Sequence, residues 1–264
     1  MEFLSLLGKT LLLRPYVFIF LAIALLAATS LMGRTRTALF FLITWVTAFV
    51  CEFSSTRTGI PFGWYFYNDS TRGQELYLSN VPFMDSLSFS FLLFTSYCLA
   101  LLLMSPAQGR WTTLAIRDDP TVRRSKSVLG LSALFFMLLD VVIDPVSLRG
   151  DRWFLGKIYY YPEPGVHFGV PIANYLGWAF VGLVALGFYQ QIDRHVPLPS
   201  HESDNLARKL LVGCALYYGV LAFNLAVTFW IGEALIGTTG VMMYLPITAI
   251  VLLKVAGRLP APSA

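Results

Sequence analysis

The sequence predicts an all-α fold: a polytopic bundle of about seven membrane-spanning helices. Three observations predict it. The 264-residue chain is 56% hydrophobic and only 13% charged, with a mean hydropathy of +0.66, whereas soluble domains carry about 25% charged residues. The apolar residues fall in runs long enough to cross a ~30 Å hydrocarbon layer as helices. The runs lack strand alternation, and a spanning backbone must satisfy its own hydrogen bonds, which points to helices. In this setting the net charge of +4 reads as membrane orientation rather than nucleic-acid binding.

The first span is Pro15–Met32. Its long apolar run and lack of a small-x-small cleavage site make it a span rather than a signal peptide. The second, Ala38–Glu52, is short for a span. The third is Pro82–Ser105, and the fourth is Val128–Asp144. Pro145 disfavours helix at the residue before it and is expected to end the fourth. Phe168–Tyr189, Leu206–Ile231 and Thr238–Ala256 complete the set, with aromatics crowding many of the ends as interface belts do. The whole chain, 1–264, reads as one integral-membrane domain.

The basic connector Pro106–Ser127 reads as a solvated link touching lipid headgroups. Gln190–Asn205 carries His195 and His201 but too few further ligands for a metal site. The tail Leu259–Ala264 is expected to fray. Counting connectors alternately, one side of the membrane carries Lys9, Arg14, Arg57, Arg72, Arg149, Arg152 and Lys157. The other carries twelve of the nineteen basic residues. The richer side is expected to be cytoplasmic, with the C-terminus there and the N-terminus outside.

Several chemistries lack their residues. Cys51, Cys98 and Cys214 lie in or beside apolar runs without metal spacing and read as packing residues. Three histidines are too few for a histidine-rich di-iron centre. There is no Walker sequence and no G-x-G-x-x-G. No metal, redox or nucleotide cofactor is expected.

The chemistry gathers in two stretches, Glu52–Asp85 and Asp140–Trp178, read as halves of one site. Carboxylates in a lipid-embedded segment are costly and usually functional. Asp140 and Asp144 are one helical turn apart and share a face. Burial and a nearby second carboxylate disfavour ionisation, so one acid of the pair can hold a proton and donate it. The structural alternative has Asp144 capping the loop and Asp140 pairing with Arg149 or Arg152. Glu52 and Asp85 are further candidates, while Glu233, in a short turn, reads as interfacial. Trp64, Tyr67, Trp153, Tyr175 and Trp178 offer aromatic faces that attract a cation. They belong to a larger aromatic set with Tyr65, Phe66 and Tyr159 to Tyr161, much of which fits an interface belt. Asn174 and Asn224 are candidates to hold a water or to bond a neighbouring helix. G-I-P-F-G at Gly59–Gly63 echoes G-V-H-F-G at Gly165–Gly169, as a duplication or as two similar turns.

Four motifs carry a family resemblance: E-F-S-S-T-R-T-G-I-P-F-G-W-Y-F-Y, V-P-F-M-D, D-V-V-I-D-P-V and H-F-G-V-P-I-A-N-Y-L-G-W. In this order and spacing they resemble the integral-membrane carotenoid hydratases, which include the bisanhydrobacterioruberin hydratases of archaea and the γ-carotene hydratases of bacteria. The resemblance covers most of Glu52–Trp178. It implies addition of water to the terminal (C1′,2′) double bond of an acyclic carotenoid end, giving a tertiary alcohol. It also implies a bacterial or archaeal cell membrane, a carotenoid or related polyprenoid substrate, and a carotenoid-modifying enzyme as a potential partner. The roles follow from the residues' own chemistry and not from the resemblance: Asp140 or Asp144 is expected as proton donor, Glu52 or Asp85 as the second carboxylate, and Asn174 or the remaining acid as holder of the water.

The rival readings are a carotenoid cyclase or isomerase, which also begins with protonation, and a non-catalytic carotenoid-binding protein or transporter. A polyprenyl transferase would need a second aspartate-rich motif beside D-x-x-x-D at Asp140–Asp144. A retinal protein would need a mid-helix lysine, and Lys254 lies near the end of the last span.

Overall fold

A computed structural model describes residues 2–196 and 205–259. Half of the Gln190–Asn205 connector, with His201, and nearly all of the predicted fraying tail lie outside the described residues. Among the described residues seven helices are long and apolar enough to cross a membrane, as the sequence predicts. They follow a short helix α1 (Glu2–Leu13) and are α2 (Pro15–Met32), α3 (Arg34–Thr58), α4 (Phe83–Met104), α6 (Lys126–Ser147), α7 (Ile172–Asp193), α8 (Leu206–Trp230) and α9 (Ala234–Val255). The helical turn α5 (Pro120–Arg123) precedes α6.

The centres of the spans agree with the apolar runs, but their ends follow local stop signals. Pro15 occupies the first turn of α2, where its missing N–H costs nothing. Gly33 ends α2 at φ 81° and lets α3 start at the next residue. α3 is therefore not short. It runs 25 residues, through the polar S-S-T-R-T to Gly59, whose left-handed φ of 76° closes it. The Ser125 hydroxyl caps α6 by accepting from the Val128 N–H at 3.1 Å.

Pro145 does not end α6, contrary to expectation. A proline removes one backbone donor, but the next turn still closes: the Leu148 N–H donates to the Asp144 carbonyl at 2.9 Å. Arg149 Nη1 then donates to the Pro145 carbonyl at 2.8 Å. α7 starts at Ile172 rather than Phe168 because His167–Val170 makes a tight turn, Val170 N–H to His167 carbonyl at 2.9 Å, with Pro171 preceding the first helical turn.

α4 is buried on nearly all sides and forms the axis of the bundle, while α2 and α9 keep broad outward faces. Lipid supplies no hydrophobic drive between helices, so close packing at small residues must hold them. Gly213 of α8 lies against Cys98 of α4, and Gly182 of α7 against Ala133 of α6. All three cysteines are free and buried. At one end of the bundle Asp193 of α7 takes Arg36 of α3 and, at 2.9 Å, Arg124. Lys254, in the last turn of α9, donates to the Ser105 carbonyl at 2.8 Å. The other end carries the long connectors from α3 to α4 and from α6 to α7.

Candidate active site

The two long connectors pair with each other. Phe66–Tyr67 runs antiparallel to Tyr159–Tyr160, with Phe66 opposite Tyr160 and Tyr67 opposite Tyr159. Side chains on extended backbone alternate between faces. Tyr65, Tyr159 and Tyr161 therefore point inward and are buried, whereas Trp64, Phe66 and Tyr160 point out, Trp64 at 49% exposed. The inward tyrosines meet the carboxylates. Tyr67 donates to Glu52 Oε1 at 2.9 Å, Tyr161 donates to Asp144 Oδ2 at 2.6 Å, and Tyr159 donates to Asp144 Oδ1.

Three helix ends complete the cluster. The last turns of α3 carry Glu52, the last turns of α6 carry Asp140 and Asp144, and the first turn of α4 carries Asp85. Asn174, in the first turn of α7, joins the aspartates: its Nδ2 donates to Asp140 Oδ2 at 2.6 Å and to Asp144 Oδ2 at 3.0 Å. The structural alternative for Asp140 is not found. Arg149 pairs with Glu233 at 3.1 Å, and Arg152 pairs with the same carboxylate, so both cations latch the start of α9.

Partnering divides the four acids. Asp144 accepts from two phenols and an amide. Asp140 Oδ1 and Glu52 Oε2 are buried without a hydrogen-bond partner among the described residues. A buried polar atom left unpaired costs free energy.

Two cavities meet at this cluster. The smaller, about 50 Å³, is polar and lined by Glu52, Tyr65, Tyr67, Asp85, Asp144 and Asn174, with Phe62, Phe89 and Trp178 among its walls. A water occupies about 30 Å³ in the liquid, so this cavity is water-sized. The larger, about 110 Å³, is mostly apolar and takes its walls from α2, α4, α6 and α8. Asp140 faces it, with Trp153 and Asn224. Asp85, Asp144, Tyr159 and Trp178 border both cavities.

Burial pushes the Tyr65, Tyr67, Tyr159 and Tyr161 phenols well above their ordinary range, and neighbouring carboxylates push the same way. They remain donors at any working pH. His167 is shifted down by burial, and its Nδ1 lies 2.6 Å from the Tyr175 hydroxyl.

The structure thus brings Glu52, Asp85, Asp140, Asp144, Tyr67, Trp153, Asn174 and Trp178 together. It does not bring in Trp64, which stacks outside on Phe66. Tyr175 is turned to His167 and lines neither cavity. Phe62 and Phe89 went unread as site residues, and Tyr65, Tyr159 and Tyr161 were read only as members of the aromatic set. The signal for the tyrosines was the Y-x-Y spacing at Tyr65/Tyr67 and Tyr159/Tyr161, which puts each pair on one face of extended chain. Among the described residues no three His, Cys, Asp or Glu side chains converge as metal ligands would.

The family model described as "Carotenoid biosynthesis protein" matches residues 13–246. The chain is also similar to a bisanhydrobacterioruberin hydratase of Haloarcula japonica, 30% identical over 135 residues. That match takes in 51% of this chain and 38% of the relative, so the chain aligns with well under half of that protein's length. No solved structure matches significantly.

Proposed function

The chain belongs to the carotenoid biosynthesis protein family, and from that premise we propose that it adds water to the terminal C1′,2′ double bond of an acyclic carotenoid end. The observation that carries this reading is the meeting of a water-sized polar cavity and a larger apolar one across shared carboxylates. Hydration needs both reactants, an alkene and a water, at one acid–base centre. The similarity to a protein named as a hydratase supports the same choice.

In this reading Asp140 is the general acid. Asp140 borders the apolar cavity, its Oδ1 has no partner among the described residues, and Asn174 holds its other oxygen. The O–H proton passes to C2′, the alkene π pair forms the new C–H bond, and C1′ becomes a tertiary cation. Asp144, fixed by three donors, faces that charge as a preorganised carboxylate. The face of Trp178 adds cation–π attraction. A water in the polar cavity attacks C1′ and gives its proton to Glu52 or Asp85. Return of a proton to Asp140 closes the cycle, so the net change is one water added and no electrons exchanged.

The test is product analysis in a host that makes an acyclic-ended carotenoid. Expression of the chain should yield a tertiary alcohol that carries heavy oxygen from labelled water and none from labelled dioxygen. Label from dioxygen would refute hydration. A product of unchanged mass with a shifted absorption spectrum would indicate cyclisation or isomerisation instead. Pigment left unaltered across several acyclic substrates would point to binding or transport.

A further inference from the structure

The apolar cavity has room for an end group but not for a polyene. At about 110 Å³ it holds a few times the ~30 Å³ of a water molecule, so the body of any carotenoid must leave it. The cavity's wall between α2 and α8 is a layer of rings. Tyr16 and Phe20 of α2 meet Phe223 of α8, with ring centroids 5.3 Å and 5.6 Å apart. All three rings are half-buried, so one layer of side chains separates the carboxylates from the outer surface of the bundle. Phe154 closes over Tyr16 at 5.4 Å and is 53% exposed. Among the described residues no hydrogen bond or ion pair joins α2 to α8.

The same seam continues beyond the rings. Tyr16, Phe20, Ile23, Ala27 and Ser30 recur at steps of three and four and form one stripe of α2. Along α8, Phe223, Val220, Leu216 and Val212 do the same. Where the ring layer ends, the two stripes border a groove of about 530 Å³ walled by Ile23, Leu26, Ala27 and Val212, with Ser30, Asn205, Arg208 and Lys209 at the end near the start of α8. It is floored by Ala27, the small side chain that leaves the space. From Tyr16 to Ser30 the stripe runs about 21 Å at ~1.5 Å per residue, most of a ~30 Å hydrocarbon layer.

We propose that the α2–α8 seam is the polyene-binding site and lateral portal: the reactive end passes between the Tyr16, Phe20 and Phe223 rings into the apolar cavity while the chain lies in the groove over Ala27. The occupant follows from shape and chemistry. The groove's walls along the seam are apolar, and Ile23 and Ala27 share the face of α2 that carries Tyr16 and Phe20 into the wall of the cavity with the acids. This inference rests on the carotenoid reading of the site, but its test does not depend on turnover.

A photo-crosslinking residue is placed at Val212, which is exposed, and as a control at Leu183, an exposed apolar position on α7. The full chain in nanodiscs is irradiated with tritium-labelled lycopene, an acyclic polyene. The expected result is capture at Val212, suppressed by unlabelled lycopene, and background at Leu183. Ala27→Trp, which fills the groove floor, should lower capture at Val212 roughly tenfold, the scale on which a hydrophobic pocket rejects misfitting bulk. Equal capture at both positions, or none above background at Val212, overturns the seam even where hydrated product forms. Capture at Val212 with no hydrated product from any of several acyclic carotenoids leaves the seam standing and removes the hydratase reading.

Discussion

Asp140 and Asp144 are one turn apart on α6 yet have unlike partners, and that difference separates their roles. An amide cannot replace a carboxylic acid as proton donor, so Asp140→Asn should keep its fold in membranes and lose product by about 10²–10⁴-fold. Quantified pigment extracts, set against protein level in the membrane, check this. Full activity in Asp140→Asn would move the donor role to another acid. Tyr161→Phe removes one of three donors to Asp144, so it should reduce turnover and leave KM for the carotenoid nearly unchanged. His167 gives a pH prediction. Burial disfavours its charged form, so the unfolded chain binds its proton more readily than the folded one. Stability is therefore unaffected above the ordinary histidine range and falls as pH drops through about 6.5. Thermal unfolding in detergent between pH 8 and pH 5 should show wild type losing more on the acid side than His167→Gln. At this scale the sequence was informative about acids, because a carboxylate in an apolar run stands out. It was poor on aromatics: Trp64 and Tyr67 look alike in the string, and only strand alternation in the paired connectors sends one out and the other in.

Helix centres are legible in the sequence because they are set by long-range hydropathy; helix ends are not, because they are set by a few local bonds. α3 outlasts its apolar run by the length of S-S-T-R-T and stops only at Gly59, which adopts the left-handed conformation. α6 passes Pro145 because one lost donor does not outweigh the bonds that follow it. Both extensions shape the site. The end of α3 carries Ser55, whose hydroxyl accepts from the Phe62 N–H at 2.9 Å and folds the next connector back over the polar cavity. That connector rests on Gly177 of α7: a Cβ there would lie 2.3 Å from a Phe62 ring carbon and 2.9 Å from its Cα. Backbone cannot yield as a side-chain tip does, so Gly177→Ala should lift Phe62 from α7 and cost roughly 1–3 kcal/mol. A lowered thermal midpoint with a larger loss of product than of folded protein is the expected outcome. Unchanged stability would mean that the connector is looser than its contacts imply.

At the scale of the whole molecule, seven spans put the two faces of the bundle in different compartments, and the charges differ between those faces. Lys9, Arg14, Arg57, Arg72, Arg149, Arg152 and Lys157 lie on the elements of the site end, and the other twelve basic residues lie on the opposite end. The partition read from the sequence is thus the partition of the helix ends. Both ends hold some of their cations in ion pairs: Arg14 with Glu75 at 3.3 Å and Arg149 and Arg152 with Glu233 at the site end, Arg36 and Arg124 with Asp193 at the other. The orientation rule counts basic residues and gives acids little weight, so the totals decide. Basic residues near span ends are retained on the cytoplasmic side. We therefore expect the end with Arg34, Arg110, Arg117 and Lys126 in the cytoplasm, and the carboxylate cluster near the outer leaflet, where water and the lipid-soluble substrate both reach it. Reporter fusions check this. A reporter after the last span should show the cytoplasmic signal and one inserted within Arg149–Pro164 the external one. The reverse pair of signals would invert the molecule and place the site at the inner leaflet.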